Sequence, residues 1–325
     1  MKISLADIQK PVSDEMKEFQ PFFKASMKTK IPLLNVIINF MLRRKGKQMR
    51  PLFVFLTAKL FGNINKSTYV AAGLVELLHT ASLIHDDVVD ESMERRGSFS
   101  INALWKSKIA VLFGDFLLAK GLLLAIDNKE YELLDILSTA VKEMSEGELD
   151  QLQKSRKLNI DEEEYFQIIR QKTASLIASC TVCGAKSAGM NGEVLDKMKS
   201  FGENAGIAFQ IKDDLFDYRE NSITGKPSGN DIKEKKMTLP LIHALQNASK
   251  SDNRRIKNLL RNNSKKSNAV QEIRDFVIKN DGLEYAKKIM EHYKSNALNI
   301  LNDFGDNEAK TALFNLVEYT VQRSK

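Results

Sequence analysis

The sequence predicts an all-α protein, and three observations carry that prediction. Six prolines interrupt 325 residues. Aromatic residues make up 8% of the chain. Apolar residues recur at i, i+3 and i+4 over long windows, the period of a helix face. No strand and no short internal repeat emerges. At 43% hydrophobic the chain can bury a sizeable core, and its length allows one large domain or two ordinary ones. The start, "MKISLADIQKPVSDEMKEF", has neither the apolar core nor the small-residue cleavage site of a signal peptide. No stretch reaches eighteen uninterrupted apolar residues, so the expected location is the cytoplasm.

Taken in order, the predicted helices are separated by recognisable breaks. The first clear break is "LRRKGKQMRP". The window that follows carries Leu74, Leu77, Leu78, Ala81 and Ile84, apolar on most sides, as expected of a helix inside a bundle. "RRGSFS" ends it, and a second such helix carries Phe116, Leu117, Leu123 and Leu124. Both windows are interrupted by charge, at Glu76, Asp115 and Lys120. Further breaks fall at "DNKEYE", "SRKLNIDEEE" and "SAGMNGEV". Cys180 and Cys183, in "SCTVCGA", have no second CxxC and no nearby His, and are read as core residues one turn apart. The longest interruption is "RENSITGKPSGNDIKEKKMTLP", and a long loop in a compact chain is usually functional. From Lys250 to Lys266 seven Lys/Arg face a single acid, Asp252. With no aromatic interleaved for stacking, this reads as a solvated helical surface, and no nucleic-acid partner is expected. The net charge of +7 also suits anionic small molecules or membrane surfaces.

One chemical feature appears twice: "IHDDVVD" at Asp86 and "IKDDLFD" at Asp213. Residues four apart lie about 40° apart around a helix, so Asp86 and Asp90 share a face, as do Asp213 and Asp217. Like charges at that spacing repel, and anions at a helix C-terminus oppose its dipole. A solvated acidic helix end explains one such cluster but not two, each following an apolar helix. A hard divalent cation removes the repulsion, and few carboxylates per helix suit Mg²⁺, which keeps its waters and shares its remaining positions with phosphate. Two facing claws of this kind make a diphosphate trap. Cations for such a trap stand nearby in sequence: Arg95 and Arg96 after the first claw, Lys226, Lys235 and Lys236 after the second, and Lys47 and Arg50 in "GKQMRP".

These residues carry a resemblance to the trans-isoprenyl diphosphate synthases, the polyprenyl synthetases, over essentially the whole length. "GKQMRP" resembles their first diphosphate loop, "ELLHTASLIHDDVVDESMERRG" the first aspartate-rich region, and "RQKTASLIASCTVCGA" the Lys-Thr helix. "FGENAGIAFQIKDDLFDY" resembles the second aspartate-rich region, "TGKPSGNDIKEKKMTLPL" the lysine loop after it, and "YTVQRSK" the family's ending. The resemblance implies a single domain over 1–325 with the isoprenoid synthase fold, a helical bundle around a deep central cavity, usually dimeric. It implies an allylic diphosphate and isopentenyl diphosphate as substrates and about three Mg²⁺ per active site. Asp86 and Asp90 would hold two of the ions and Asp213 the third, with Asp87, Asp214 and Asp217 as ligands or just behind them. Arg95, Lys172, Lys226 and Lys236 would contact the allylic diphosphate; Gly46, Lys47, Arg50, His79 and Arg96 would hold isopentenyl diphosphate; Thr173 and Gln210 would face the reacting carbons. The reaction the resemblance implies is ionisation of the allylic diphosphate, attack by the double bond of isopentenyl diphosphate, and proton loss, usual in the family, to the released pyrophosphate. Two positions depart from the family pattern. Lys45 stands where a second Gly is usual, and Lys235 replaces a common Gly, so the loop role goes to Lys236 by its distance from Asp231.

In this family the room below the first claw limits the product. Ala81 and Ser82, five and four residues before Asp86, are small where short-chain enzymes often place a bulky stop. A helical turn of roughly 5.4 Å compares with one isoprene unit, so the tail is expected to pass to the level of Leu78 and Leu74. The expected product is therefore long, hexaprenyl to decaprenyl, for quinone side chains, with transient membrane association for its release. A farnesyl or geranylgeranyl synthase is the alternative. The His85-Asp86 pair of an HD phosphohydrolase would need another metal-binding His upstream, which the sequence lacks before His79, and leaves Asp213 to Asp217 unexplained. A terpene cyclase usually replaces the second claw, and a non-catalytic subunit would have one claw eroded.

Overall fold

The computed structural model describes residues 4–43, 46–62, 64–95, 98–155, 158–218, 229–264 and 266–322. The helices are α1 (Leu5–Gln9), α2 (Ser13–Ser26), α3 (Pro32–Arg43), α4 (Met49–Phe61), α5 (Lys66–Val89), α6 (Ile101–Asp127), α7 (Tyr131–Ser155), α8 (Glu162–Ile169), α9 (Ser175–Ser187) and α10 (Glu193–Asp217). They continue with α11 (Asn230–Lys233), α12 (Leu239–Asn247), α13 (Lys250–Asn263), α14 (Ser267–Lys279), α15 (Gly282–Leu301) and α16 (Glu308–Gln322). The all-α expectation holds. The one extended feature among the described residues is a ribbon of two-residue strands, β1 (Glu94–Arg95) antiparallel to β2 (Ser98–Phe99). The breaks read from the sequence separate α3 from α4, α6 from α7, α7 from α8 and α9 from α10.

Contacts divide the chain into two units. The first comprises Met1–Val141, Ser179–Lys199 and Gly305–Asn315; the second comprises Lys142–Ala178, Ser200–Phe304 and Leu316–Lys325.

In the first unit α5 begins at an Asn65 cap whose side chain accepts from Thr68 N, and it runs against α6. Two glycines on α6 permit the close approach. A Cβ at Gly114 would overlap the His85 ring, and one at Gly121 would stand 3.3 Å from both Leu74 and Leu78. Near its start α6 is broken at Lys106, where φ is 67°. A Cβ at Gly184 on α9 would meet the Val54 carbonyl of α4 at 2.5 Å, so that crossing depends on glycine. Cys180 and Cys183 are fully buried, and burial pushes the Cys180 thiol up to about 12 and raises that of Cys183. They are core residues, as the sequence indicated.

Both α5 and α6 are long and apolar enough to cross a membrane by length and composition. The apolar window of α5 is 67% buried within the protein, that of α6 33%. The expectation that α6 lies inside the bundle on most sides is therefore corrected. Leu104, Leu112, Leu122, Leu123 and Ile126 are exposed, while the side toward α5, with Phe113, Gly114, Leu117 and Gly121, is packed, and near the start Trp105 meets Phe40 of α3.

The second unit has a core drawn from α8, α10, α12, α14 and α15, including Tyr165, Ile169, Ile211, Leu241, Ile273 and Met290. Between α8 and α9 the chain makes a π turn at Arg170–Ala174. Two glycines border this turn. A Cβ at Gly147 on α7 would stand 2.8 Å from Gln171 Cβ, and one at Gly206 on α10 would stand 2.6 Å from Ala174 Cα.

Candidate active site

The two acidic motifs share a local design. In each, an apolar helix delivers its aspartates at the C-terminal end: Asp86 and Asp87 in the last turn of α5 with Asp90 as its cap, and Asp213, Asp214 and Asp217 at the end of α10. In each, the first Asp is partly exposed and the second is buried. Asp90 is exposed and Asp217 partly so. The 3.6-residue period explains the alternation, since first and last share the outer face and the middle one turns toward the core.

Such a donor set suits Mg²⁺. The ion takes one or two protein carboxylates and completes its octahedron with water and substrate phosphate. Among the described residues no three His, Cys, Asp or Glu converge into a closed cage. Each motif presents a partly exposed leading aspartate, Asp86 or Asp213, whose oxygens are of the hard type that Mg²⁺ takes.

The two buried or tied aspartates have specific partners. Asp214 accepts from Tyr165 Oη at 2.7 Å and from Gln210 Nε2 at 2.8 Å. Burial, aided by the negative Asp231, pushes the Asp214 carboxyl up to about 7 against the pull of those two hydrogen bonds. Asp217 accepts from Asn230 N at 2.8 Å and Asp231 N at 3.0 Å, so its carboxylate caps the first turn of α11.

A cavity of about 140 Å³ in the second unit collects several residues singled out from the sequence. Lys172, Thr173, Gln210, Asp214 and Lys236 line it, with Gln151, Tyr165, Asp231 and Thr238. The π turn presents Lys172 and Thr173 together, and such turns frequently mark functional positions. Lys172 Nζ donates to Gln151 Oε1 at 2.9 Å and pairs with Glu148. Thr173 Oγ1 donates to Gln210 Oε1 at 2.7 Å.

The adjacent lysines of the loop separate cleanly. Lys235 adopts φ 61°, in the left-handed region where glycine is at ease, which accounts for the glycine common at this place. Its Nζ reaches away to the Arg261 carbonyl at 2.7 Å. Lys236 lines the cavity, with Nζ 3.4 Å from Asp231 and 2.6 Å from Glu234. Burial opposes its charge, but the two carboxylates outweigh burial and hold the ammonium above its usual range.

In the first unit Gly46 and Lys47 precede α4, Gln48 is left-handed at φ 47°, and Arg50 lies in the first turn. His79 is buried on α5. Arg50 and Glu76 both lie within electrostatic reach of Cys180. Ala81 is fully buried, Leu78 nearly so, and Ser82 turns its hydroxyl back to the His79 carbonyl at 2.9 Å. Arg95 belongs to β1, its side chain outside the description; Arg96 and Lys226 lie outside the described residues.

A family model for polyprenyl synthetase matches residues 31–277. The chain belongs to the polyprenyl synthetase family. It is accordingly a prenyltransferase of the all-α isoprenoid synthase fold, acting on isoprenoid diphosphates. Relatives agree over nearly the full length. The chain is 34% identical to an all-trans-nonaprenyl-diphosphate synthase (geranyl-diphosphate specific) of Rhodobacter capsulatus, covering 98% of this chain and 97% of that one. A polyprenyl synthase from Caulobacter crescentus CB15, solved with calcium and isoprenyl diphosphate, superposes with a TM-score of 0.92 at 30% identity, covering 100% of both chains. A geranylgeranyl pyrophosphate synthase from Bacteroides thetaiotaomicron gives 0.84 at 35% identity, covering 98% and 99%.

For this polyprenyl synthetase the sequence reading missed Glu148 and Gln151, the partners of Lys172, and used Asp231 only as a marker. The signal was present: in "EGELDQLQ" a glutamate and a glutamine stand three apart, on one helix face, in an otherwise ordinary amphipathic run.

Proposed function

We propose that the protein is a Mg²⁺-dependent, cytoplasmic synthase that extends an allylic primer, farnesyl diphosphate, with successive isopentenyl diphosphates into a long all-trans polyprenyl diphosphate for quinone side chains. The observation that carries the reading is the gathering of Lys172, Thr173, Gln210 and Lys236 about one cavity, with Asp213 beside its Asp214 wall. The whole chain, residues 1–325, acts as one catalytic domain in this reading.

Asp86 and Asp90 would hold two of the ions and Asp213 the third, with Asp87 behind the first motif; Asp214 and Asp217, whose oxygens are already engaged, would support the second motif from the protein side. When bound, Mg²⁺ supplies charge neutralisation for the diphosphate that leaves. Lys172 and Lys236, with Arg95 and Lys226, bind the allylic diphosphate, and the ammoniums stabilise the charge that grows on the leaving oxygen. The oxygens of Thr173 and Gln210 face the allylic carbons and favour positive charge there. Gly46, Lys47, Arg50, His79 and Arg96 hold isopentenyl diphosphate with its double bond at attack distance. The released pyrophosphate takes the proton.

The small pair Ala81 and Ser82 supports a long product, and the nonaprenyl relative agrees with it. The geranylgeranyl relative at 35% identity supplies the second reading, a short-chain synthase. The exposed apolar face of α6, Leu104, Val111, Leu112, Leu122, Leu123 and Ile126, supports a homodimer, because soluble monomers rarely expose a continuous patch of that kind. The net charge of +7 supports transient contact with an anionic membrane when the hydrocarbon product departs.

Purified protein supplied with Mg²⁺, labelled isopentenyl diphosphate and either farnesyl or geranyl diphosphate tests the reading. Incorporation into hexaprenyl to decaprenyl products is expected. Absence of incorporation with both primers overturns the enzyme assignment, and arrest at geranylgeranyl overturns the long-chain one.

A further inference from the structure

We infer that Tyr165 is a positioning residue for prenyl transfer, acting through Asp214 to fix which way the Gln210 amide and the Thr173 hydroxyl face the cavity. The inference rests on the proposed roles of Gln210 and Thr173 at the reacting carbons.

Three hydrogen bonds run in series. Tyr165 Oη donates to one oxygen of Asp214 at 2.7 Å. Gln210 Nε2 donates to the other at 2.8 Å. Thr173 Oγ1 donates to Gln210 Oε1 at 2.7 Å. With one Asp214 oxygen accepting from Tyr165 and the other from the Gln210 amide nitrogen, the Gln210 carbonyl is turned to Thr173. The threonine proton is thereby committed, leaving its lone pairs and the second lone pair of the Gln210 carbonyl for the cavity. Both are oxygen dipoles suited to a developing carbocation, and their orientation is settled before substrate arrives.

Tyr165 anchors the far end of this series. It is 3% exposed, and a buried phenol hydroxyl needs a partner, which Asp214 provides. Its backbone is fixed as well. The Asp161 cap and Glu164 close the start of α8, and Tyr165 N donates to Asp161 O at 3.0 Å. The ring packs edge-on against Phe166 at 5.4 Å. Without the hydroxyl, Asp214 keeps one donor and can rotate about its side chain, and Gln210 loses the restraint that selects its face. Although the ring itself lines the cavity, the hydroxyl acts on the reacting carbons through two side chains, Asp214 and Gln210.

The test is single-turnover incorporation of labelled isopentenyl diphosphate, measured with KM for both substrates and with the melting temperature. Tyr165→Phe keeps the ring and removes only the hydroxyl. The expected result is about a tenfold fall in the single-turnover rate, with both KM values within about twofold of wild type. In a Thr173→Val or Gln210→Leu background, where the series is already broken, Tyr165→Phe is expected to cost less than about twofold. Asp214→Asn, which can present its amide to either neighbour, is expected to abolish the effect of Tyr165→Phe in the same way.

An unchanged single-turnover rate in Tyr165→Phe overturns the inference. So does a loss of equal factor in the Thr173→Val background, or a loss confined to KM and melting temperature, which would mark a packing role. Wild-type protein that incorporates no isopentenyl diphosphate would instead refute the enzyme reading, so the two failures are told apart by the control.

Discussion

At the scale of single residues, the aspartates of the two motifs were legible because their chemistry lies in identity and spacing. Acids four apart at the end of an apolar helix repel one another and oppose the helix dipole, an arrangement that a cation relieves. The division of labour within each motif was not legible, since it depends on what the side chain meets in space. Asp214 meets Tyr165 and Gln210, and Asp217 meets the amides of α11. From this follow distinct outcomes for neighbouring substitutions. Asp86→Ala and Asp213→Ala are each expected to lower the incorporation rate by about 10²–10³-fold at saturating Mg²⁺. Asp217→Asn, which keeps one acceptor for the α11 amides, is expected to fall less far, and retained full activity in Asp86→Ala would remove the metal assignment. The lysine pair gives a sharper contrast. Lys236→Ala removes a cation from the cavity and is expected to raise KM for the allylic diphosphate at least about tenfold. Lys235→Gly places glycine where φ is 61° and leaves the cavity cation in place, so its KM should stay within about twofold of wild type.

Helices are the elements that sequence period reveals, and α5 and α6 stand where the periodicity put them. Features without a period escaped. The π turn at Arg170–Ala174 inserts no residue type that marks it, and two-residue strands are too short to alternate. The turn becomes visible only through its neighbours, Gly147 and Gly206, each at a distance no side chain would tolerate. Gly206→Ala would press a methyl group against Ala174 Cα, with backbone on one side and no flexible chain end to yield. We expect it to cost stability by about 1–3 kcal/mol and to displace Lys172 and Thr173, so that activity falls more than the melting temperature alone accounts for. Thermal denaturation beside steady-state kinetics checks this, and a variant with wild-type kinetics would show that the turn tolerates repositioning. Below the first motif, Ala81→Phe fills a fully buried position. Shorter products are expected from it, read by chromatography of the reaction mixture, and unchanged product length would place the tail elsewhere.

For the molecule as a whole, composition read as all-α and the structure agrees, but the apolarity of α6 misled in an instructive way. A helix apolar all round is expected to be buried by its own chain. Here one side meets α5 and the other, from Leu104 to Ile126, is exposed. Sequence cannot distinguish burial within a chain from burial between copies, because the two demand the same residues. Light scattering at micromolar concentration is expected to report twice the 36.8 kDa chain mass, and Leu112→Glu with Leu123→Glu to return it to one. A monomeric wild-type protein would leave the α6 face to another partner.

As proposed, this polyprenyl synthetase elongates an allylic diphosphate to a long product with metal-held diphosphates. The most direct test is the size of the labelled product formed from farnesyl diphosphate and isopentenyl diphosphate, with and without Mg²⁺. Products of six to ten isoprene units are expected, lost when the metal is chelated and regained when it is restored. Products that stop at four units, or incorporation that persists in excess chelator, would contradict it.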